Sequence, residues 1–565
     1  MRRIFVPLAV IALSAGALIG AQPAGAGVTY VTAQINGSGS TWAQNAIQQW
    51  ISDVHSQKLS VVFSGEGSAQ GRTDFRNGTT DFAVSDIGFQ GFDPSNDTND
   101  TSCQNINPLG KCRKYVYLPI VAGGTSFPYQ IREGGQLVRN LRLSGRTLAL
   151  IFTNQIKNWD DPRIRADNNG RRLPDLAITP VLDSQGSGTS WQFSNYLATE
   201  FRQYWRSFAG ISGASEYFPR KGSAVSEAGS DSIINYVMSA AGNGAIGYDE
   251  YSFALQNNWP VANVENSAHY FTAPTQYNVA VALTKAQINM QKSSKDYLLQ
   301  KLSKVYTNPD PRTYPLSSYS YMILPVSPND PRMGRTAAPK AQTAALFIDH
   351  DVCGGQAEMG PIGYSPLPVN LAQASFAQMY KLHSADPKVK INKLNVATKC
   401  HNPTFWAGHS LSANYLAHIA PYPPSCDKAG QGPCAPGSGV GPTGNPQHGK
   451  APGPTGGSTT SPGSTSSSGP ASGSASPSSS SSGGAGLPGG ATTSGTGLPG
   501  STTTTGQGSA GSPTNLAASE STSYVGLLAA LAAAEVLLLL ALPPFLARRR
   551  QQGGTGRRHL WRIGR

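Results

Sequence analysis

Three short loops rich in glycine and hydroxyl-bearing residues are the part of this sequence best suited to chemistry. Two read almost alike, GSGST at 37–41 and GSGTS at 186–190, and a tryptophan and a helix-like run follow each. Between them lies SGEGS at 64–68, which follows a strand-like apolar run; in chain order, the loops at 37–41, 64–68 and 186–190 are called the first, second and third loop. Free N–H groups at a helix N-terminus, hydroxyl donors and closely approaching glycine backbone bind anions. Together the loops predict a pocket for a tetrahedral oxyanion, although each alone is also typical of an ordinary turn or helix cap.

A carboxylate accompanies these loops, because Asp86 ends the strand-like run DFAVSD. A carboxylate beside an anion pocket repels most anions, but it accepts a hydrogen bond from an anion that carries a proton. Phosphate carries a proton near neutral pH and sulfate does not. Asp86 therefore predicts selection for a protonated oxyanion, and its alternative interpretation is a strand-end turn or cap.

Other chemistry-bearing patterns are weaker. GHSLS at 408–412 lacks the final glycine of a hydrolase nucleophile elbow, and no Asp and His follow in the required order. The spacings of His401, His409 and His418 match no zinc site. The adjacent carboxylates in WDDP at 159–162 point in different directions in any regular element. No phosphate-binding Walker loop is present. We therefore expect no enzyme, no metal centre and no cofactor.

The elements that position these loops read as α/β architecture. Short β-rich apolar runs alternate with longer amphipathic ones, which predicts open, mostly parallel sheets. Ligands of such sheets bind beyond the carboxyl ends of the strands. Because the loops lie at strand-to-helix transitions, they fall where a site is expected.

The two ends of the chain predict its topology. Residues 1–26 have the pattern of a secretory signal peptide, with two arginines before an apolar run and a small-residue cleavage site. Residues 427–521 are nearly all Gly, Ser, Thr, Pro and Ala, which predicts a disordered stalk. The apolar segment 524–547 is long enough for one transmembrane helix, and the arginine-rich tail 548–565 is expected in the cytoplasm.

The formal net charge of +13 follows from this topology. Nine arginines lie in the signal peptide and the cytoplasmic tail, which leaves +4 for the exported part. The basic balance is therefore no argument for nucleic-acid binding, and we expect none.

Six cysteines fall into three sequence-close pairs in the exported part. An even count in an oxidising compartment suggests disulfides, although fifteen connectivities are formally possible. No CxxC motif occurs, which argues against zinc-ribbon and thioredoxin-like sites. The pairs are Cys103 with Cys112, Cys353 with Cys400, and Cys426 with Cys434.

The segments INGSGSTW, SGEGSAQGRTDFRNGTTDFAVSD, LSGRTLALIFTNQIKNWDDP, SQGSGTSWQFSNYL, NGAIGYDEYSFALQNNW and YPLSSYSYMILP resemble, in this order, PstS-type phosphate-binding proteins of ABC importers. The resemblance implies a two-lobed type II periplasmic-binding-protein fold. Lobe I would comprise 29–118 and 265–380, and lobe II 119–264. Residues 381–426 form an extension without a counterpart in the family.

The resemblance also implies partners and a location. A member of this family captures inorganic phosphate outside the cytoplasm and delivers it to ABC permease subunits with a cytoplasmic ATPase. With the C-terminal helix as membrane anchor, a single-pass protein of a Gram-positive, actinobacterial envelope is expected.

The family's phosphate contacts carry over to positions in all three loops. Trp42 would contribute its backbone N–H, and Asp86 would accept the phosphate proton. The corresponding positions are Thr41, Trp42, Ser68, Asp86, Ser187, Gly188 and Thr189. One departure stands out: Asp183 occupies the place of the family's phosphate-binding arginine, and Gln185 that of the arginine's partner.

A carboxylate at 183 opposes anion binding, so the resemblance calls for compensation. Arg220 is the first candidate for a compensating cation, with the neighbouring Lys221 beside it, and Arg72 could instead turn in from lobe I. Otherwise Asp183 would point away from the ligand. The alternative function is a surface protein that retains the fold but binds another ligand or none.

Overall fold

The computed structural model describes residues 30–90, 114–326, 337–391 and 395–435. The segments expected to form a signal peptide (1–26), a transmembrane helix (524–547) and a cytoplasmic tail (548–565), and nearly all of the expected stalk, lie outside these ranges. Within them, no helix combines the length and apolar character needed to cross a membrane.

The described residues form short strands and helices that largely alternate along the chain. The strands are β1 (Ile35–Gly39), β2 (Val61–Gly65), β3 (Phe82–Ser85), β4 (Tyr115–Ser126), β5 (Arg132–Glu133), β6 (Gln136–Leu137), β7 (Arg142–Leu143), β8 (Thr179–Asp183), β9 (Val225–Glu227), β10 (Ala245–Gly247), β11 (Asp249–Glu250), β12 (Asn263–Glu265), β13 (Phe271–Thr272), β14 (Gln287–Ile288), β15 (Gln300–Lys301) and β16 (Ser317–Pro325). The helices are α1 (Gln44–His55), α2 (Ser68–Asn77), α3 (Gly145–Phe152), α4 (Pro162–Asp167), α5 (Gly188–Glu200), α6 (Arg202–Ala209), α7 (Gly229–Met238), α8 (Tyr251–Gln256), α9 (Gln276–Leu283), α10 (Ser303–Tyr306), α11 (Ala337–Val352), α12 (Val369–Ala385), α13 (Val396–Lys399) and α14 (Tyr415–Ile419).

Lobe I is built on a six-stranded sheet of order β11-β4-β16-β3-β1-β2. Strand β1 pairs in parallel with β2 and β3, as the alternating pattern predicts. Strand β16 instead pairs antiparallel with both β3 and β4. The expectation of a mostly parallel sheet therefore holds for only part of lobe I. The reason is that β16 returns after lobe II, and apolar periodicity does not encode strand direction.

Lobe II contains the parallel sheet β10-β8-β9, and the small mixed sheet β13-β12-β7 joins its β7 to two later strands. The expected boundary at 118/119 falls inside β4, whose second half still pairs with β16. The lobe therefore begins only after Ser126. An aromatic cluster of Phe127, Phe152, Phe193 and Tyr248 forms its interior, with ring centroids 5.0–5.9 Å apart.

The C-terminal extension is folded and packs on both lobes. Helix α14 packs on α9 of lobe I through a small apolar cluster, and Arg142 of lobe II donates to the carbonyls of Cys426 (2.8 Å) and Gln431 (2.6 Å). Folded chain thus runs to residue 435, past the expected start of the stalk at 427, because these bonds and a disulfide hold it.

Two of the expected disulfides are confirmed. One joins Cys353 to Cys400 and the other joins Cys426 to Cys434. Cys103 and Cys112 lie outside the described residues. The first bridge fixes the extension to the end of α11 in lobe I.

Close backbone packing holds the loop after β1 in place. Gly39 has a φ of +139°, and a Cβ there would lie 2.0 Å from the Val84 carbonyl oxygen. Gly71 of α2 faces the same point, since its Cβ would lie 2.4 Å from Gly39 Cα and 2.7 Å from the Ser38 carbonyl oxygen. Helix α2 can therefore lie directly against β1 only because both contact residues lack side chains.

Replacing Gly71 with alanine should lower the free energy of unfolding by about 1–3 kcal/mol, because the new methyl group meets backbone that cannot move aside. Urea unfolding measures this. Gly213→Ala is the matched control, since a Cβ at Gly213 has no heavy atom within 4 Å. Equal stability of the two variants would contradict the close packing of α2 on β1.

Candidate anion-binding site

The Asp86 carboxylate lies at the centre of the candidate site, where β3 ends. Three serine hydroxyls donate to it: Ser40 at 2.8 and 2.9 Å, Ser68 at 3.1 Å and Ser320 at 2.8 Å. Only 3% of Asp86 is exposed. Ser40 and Ser68 belong to the first two loops, so the structure brings these loops together around the carboxylate, as the sequence predicts.

Opposing effects set the proton affinity of Asp86. Burial raises the pKa of its carboxyl group above the ordinary value, while the three serine hydroxyls and the positive charge of Arg72 act in the lowering direction. Arg72 is fully buried; it donates to Ser85 Oγ at 2.8 Å and forms an ion pair with Glu216 of lobe II at 2.6 Å. The net direction is upward, so burial outweighs the stabilising contacts.

The third loop reaches Asp86 from lobe II. Ser187 caps α5, its hydroxyl accepting from the Ser190 N–H at 3.3 Å. A Cβ on Gly188 would lie 2.5 Å from Asp86 Oδ2 and 2.7 Å from Ser68 Oγ. Only a glycine allows this approach, which places the N-terminus of α5 directly against the carboxylate.

A fourth loop, at the start of α7, also joins the site. Ser230 Oγ donates to Thr41 Oγ1 at 3.3 Å, and a Cβ on Gly229 would lie 2.9 Å from Thr41 Cγ2. The sequence assigns no ligand contact to this loop, although a Gly-Ser pair before an apolar helix is the same signal as in the other three. The Ala69 N–H of α2 donates to the Gly186 carbonyl at 2.9 Å, so the two lobes are in contact here.

Trp42 and Thr189 complete the positions expected from the sequence. The Trp42 ring is buried and packs edge-on against Tyr364 at 5.8 Å, while the Tyr364 hydroxyl donates to the Trp42 carbonyl at 2.6 Å. The indole thus anchors the first loop in the core, and the backbone remains as the group that can face a ligand. Thr189 is buried in the first turn of α5.

Asp183 does not point away from the site. Its Oδ1 accepts from the Gln185 N–H at 3.0 Å and from the Gly229 N–H at 3.2 Å, and the residue is 6% exposed. Burial raises the pKa of Asp183 to about 6, against the lowering effect of these bonds, and the negative charge of Asp86 adds to the increase. The two carboxyl groups therefore belong to one electrostatic unit.

Arg220 lies elsewhere. Its side chain is exposed and its Nε donates to the Ala224 carbonyl at 2.9 Å, while Lys221 donates to the Phe208 carbonyl. Arg220 thus bonds within its own turn, and the positive charge that acts on Asp86 is that of Arg72. The reason is that Arg220 sits in a surface turn after Phe218, whereas α2 points Arg72 into the interface between the lobes.

Comparison with known proteins agrees with this geometry. The family model described as a PBP superfamily domain matches residues 24–373. The phosphate-binding protein PstS of Xylella fastidiosa (strain Temecula1) is 28% identical over 342 residues, covering 60% of this chain and 83% of the relative. Phosphate-binding protein PstS 2 of Mycobacterium tuberculosis is 30% identical over 339 residues, covering 59% and 83%.

Among solved structures, a periplasmic phosphate-binding protein bound with phosphate matches with a TM-score of 0.47 at 19% identity, over 64% of this chain and all of that chain. This chain therefore belongs to the PBP superfamily and, within it, to the PstS-type proteins. The resemblance and the two-lobed α/β fold expected from the sequence are confirmed. Residues 381–426 lie beyond the matched family domain.

Replacing Glu216 with glutamine should destabilise the protein by about 3 kcal/mol, because it removes this carboxylate from the buried Arg72 guanidinium while keeping the side-chain shape. Chemical unfolding followed by circular dichroism measures the change. Glu133→Gln is the control, since its pair with Arg171 is largely exposed and should matter little. An equally small effect at Glu216 would contradict a structural role for the buried pair.

Proposed function

We propose that this protein is an extracytoplasmic receptor that captures inorganic phosphate between its two lobes and passes it to an ABC importer. The observation that carries the proposal is the meeting of the α2 and α5 N-termini, one from each lobe, at the buried Asp86, with the α7 N-terminus beside Thr41. Backbone N–H groups and serine and threonine hydroxyls suit the oxygens of a tetrahedral anion. The relatives named PstS are phosphate-binding proteins, which supports the same ligand.

Asp86 would favour an oxyanion that carries a proton over one that carries none. A phosphate OH group can donate to the carboxylate, as the serine hydroxyls do now. Sulfate has no proton to offer, and two like charges at about 4 Å repel by about 4 kcal/mol at an effective dielectric constant near 20. Thr41, Trp42, Ser68, Ser187, Gly188 and Thr189 would supply donors to the remaining oxygens.

Closure of the lobes would enclose the ligand. The Arg72–Glu216 ion pair and the bond from the Ala69 N–H to the Gly186 carbonyl join lobe I to lobe II. Opening must break both, so a ligand that bridges the lobes stabilises the closed state by adding contacts to each. The protein acts in this scheme as a binding protein and not as an enzyme.

We also propose that the C-terminal segment 524–547 anchors the receptor as a single transmembrane helix, with the binding domain outside and the arginine-rich tail in the cytoplasm. The segment lies outside the described residues, and its length, apolar character and basic flank support the assignment. The partners would be ABC permease subunits with a cytoplasmic ATPase. Such tethering suits a Gram-positive, actinobacterial envelope, which has no closed periplasm to retain soluble receptors.

One observation favours a second candidate, a surface protein that keeps the fold but binds another ligand or none. Asp183 stands in the site where the family resemblance places an arginine, and it remains beside Ser187 and Gly229. Phosphate binding therefore needs a direct test.

Phosphate added to the exported part, residues 27–435, should change its tryptophan emission, because Trp42 is packed beneath the first loop and Trp191 lies in the first turn of α5. Saturation is expected below millimolar phosphate, and equal sulfate should leave the emission unchanged. No response to millimolar phosphate would favour the second candidate.

Replacing Asp86 with asparagine should weaken phosphate binding at least tenfold, or about 1.4 kcal/mol, and reduce the discrimination against sulfate, since the amide can donate to either anion. Isothermal titration with both anions measures this. Asp175→Asn is the control, because Asp175 is exposed and its carboxylate accepts from the side-chain amide of Asn158 at 2.6 Å. Unchanged discrimination in Asp86→Asn would remove this carboxylate from ligand selection.

A further inference from the structure

The carboxyl group of Asp183 is held inside the site by several donors. Two backbone N–H groups, of Gln185 and Gly229, donate to its Oδ1 at 3.0 and 3.2 Å. The Ser187 hydroxyl, a predicted ligand group, also bonds to it. An arginine at this position would extend a positive charge toward a bound anion. Asp183 instead presents a short acceptor fixed between the α5 and α7 N-termini.

The titratable groups around Asp183 come from several elements. Asp86 after β3 and Asp249 in β11 are carboxyl groups that interact with it electrostatically. The Tyr248 hydroxyl accepts from the Asp183 N–H at 3.3 Å. Asp231, in the first turn of α7, raises the pKa of Asp249 in turn, and the Arg72 charge acts on Asp86. Each group acting directly on Asp183 is thus acidic or a neutral donor.

Gln185 adds a second acceptor to the same loop. Its Oε1 is buried and has no hydrogen-bond partner among the described residues. The atom would lie 3.2 Å from a Cβ on Gly67 and equally close to one on Gly229, so it faces the junction of the two lobes. A buried amide oxygen without a donor is costly, and a ligand OH group would satisfy it.

We propose that Asp183 is a specificity-determining residue. The Asp86 contact requires a phosphate with one proton, and the Asp183 contact requires a second proton on the same phosphate. The inference rests on the proposed phosphate binding. One phosphate OH donates to Asp86 and a second donates to the acceptors of the third loop, Asp183 and Gln185. The two remaining oxygens accept from helix N-termini. The preferred ligand is thus the dihydrogen monoanion, whereas an arginine at 183 favours the dianion.

The number of protons bound in the complex determines the direction in which phosphate affinity changes with pH. Above neutrality free phosphate is mainly the dianion and free Asp183 is ionised, so forming the complex takes up one proton from solution. Affinity should therefore rise about tenfold for each pH unit of decrease in that range, as linkage requires for one proton. The dependence should level off near neutrality, where free phosphate is already mainly the monoanion, and should reverse below about pH 6, because the free Asp183 carboxyl group then holds a proton that the complex must release.

The test uses the full-length chain in a mild detergent. Phosphate is titrated calorimetrically between about pH 6 and 8.5, in buffers of different ionisation enthalpy, to count the protons taken up. Asp183→Asn keeps an oxygen for the Gln185 and Gly229 N–H groups and gives phosphate a donor. It should bind more tightly than the wild type at the alkaline end and take up one proton fewer. Asp183→Ser serves as a second variant without the carboxylate.

The outcomes separate this inference from the proposed function. Phosphate binding with the same proton count in wild type and both variants would overturn the role of Asp183 and leave the function standing. A merely structural Asp183 would lower affinity equally at every pH. If phosphate produces no heat of binding with the wild-type protein, both the role of Asp183 and the proposed phosphate binding are wrong. Should the variants fold poorly, the wild-type count alone decides, because zero uptake at alkaline pH contradicts the second proton.

Discussion

The burial of the Asp86 carboxylate is the constraint on which the rest of the structure depends. A charge removed from water needs donors on every accessible lone pair, and here serines from two loops and from β16 provide them. Each donor comes from a different part of the chain. Satisfying one side chain therefore ties β1, α2, β3 and β16 together at one point, in addition to the backbone pairing that forms the sheet of lobe I.

The same requirement couples the lobes. Gly188 contacts Asp86 from lobe II, and the Arg72–Glu216 pair lies alongside, so electrostatic satisfaction in one lobe depends on closure by the other. The concentration of carboxyl groups at the site also affects which ligand it can bind. Asp183 is buried near Asp86, Asp249 is buried near Asp183, and burial raises the pKa of all three carboxyl groups. Such a site suits a ligand that brings its own protons.

Much of this arrangement can be predicted from the sequence. The features that cannot be predicted depend on contacts between distant parts of the chain. The loops and Asp86 follow from residue type and local spacing, because caps and strand ends are local features. The choice of Arg220 rests on nearness in sequence, whereas the buried cation beside Asp86 is Arg72, whose partner Glu216 is 144 residues away along the chain. The direction of β16 and the role of Gly229 depend on tertiary pairing, to which apolar periodicity is blind.

The C-terminal extension bears on motion as well as on packing. It is bonded to lobe I through the Cys353–Cys400 bridge and through Arg312, which donates to the carbonyls of α14, and to lobe II through Arg142. A covalent chain fastened at both sides of a hinge has a fixed contour length. If the lobes separate on ligand release, as proposed, the extension must either span the opened gap with the chain between these anchors or lose one of them.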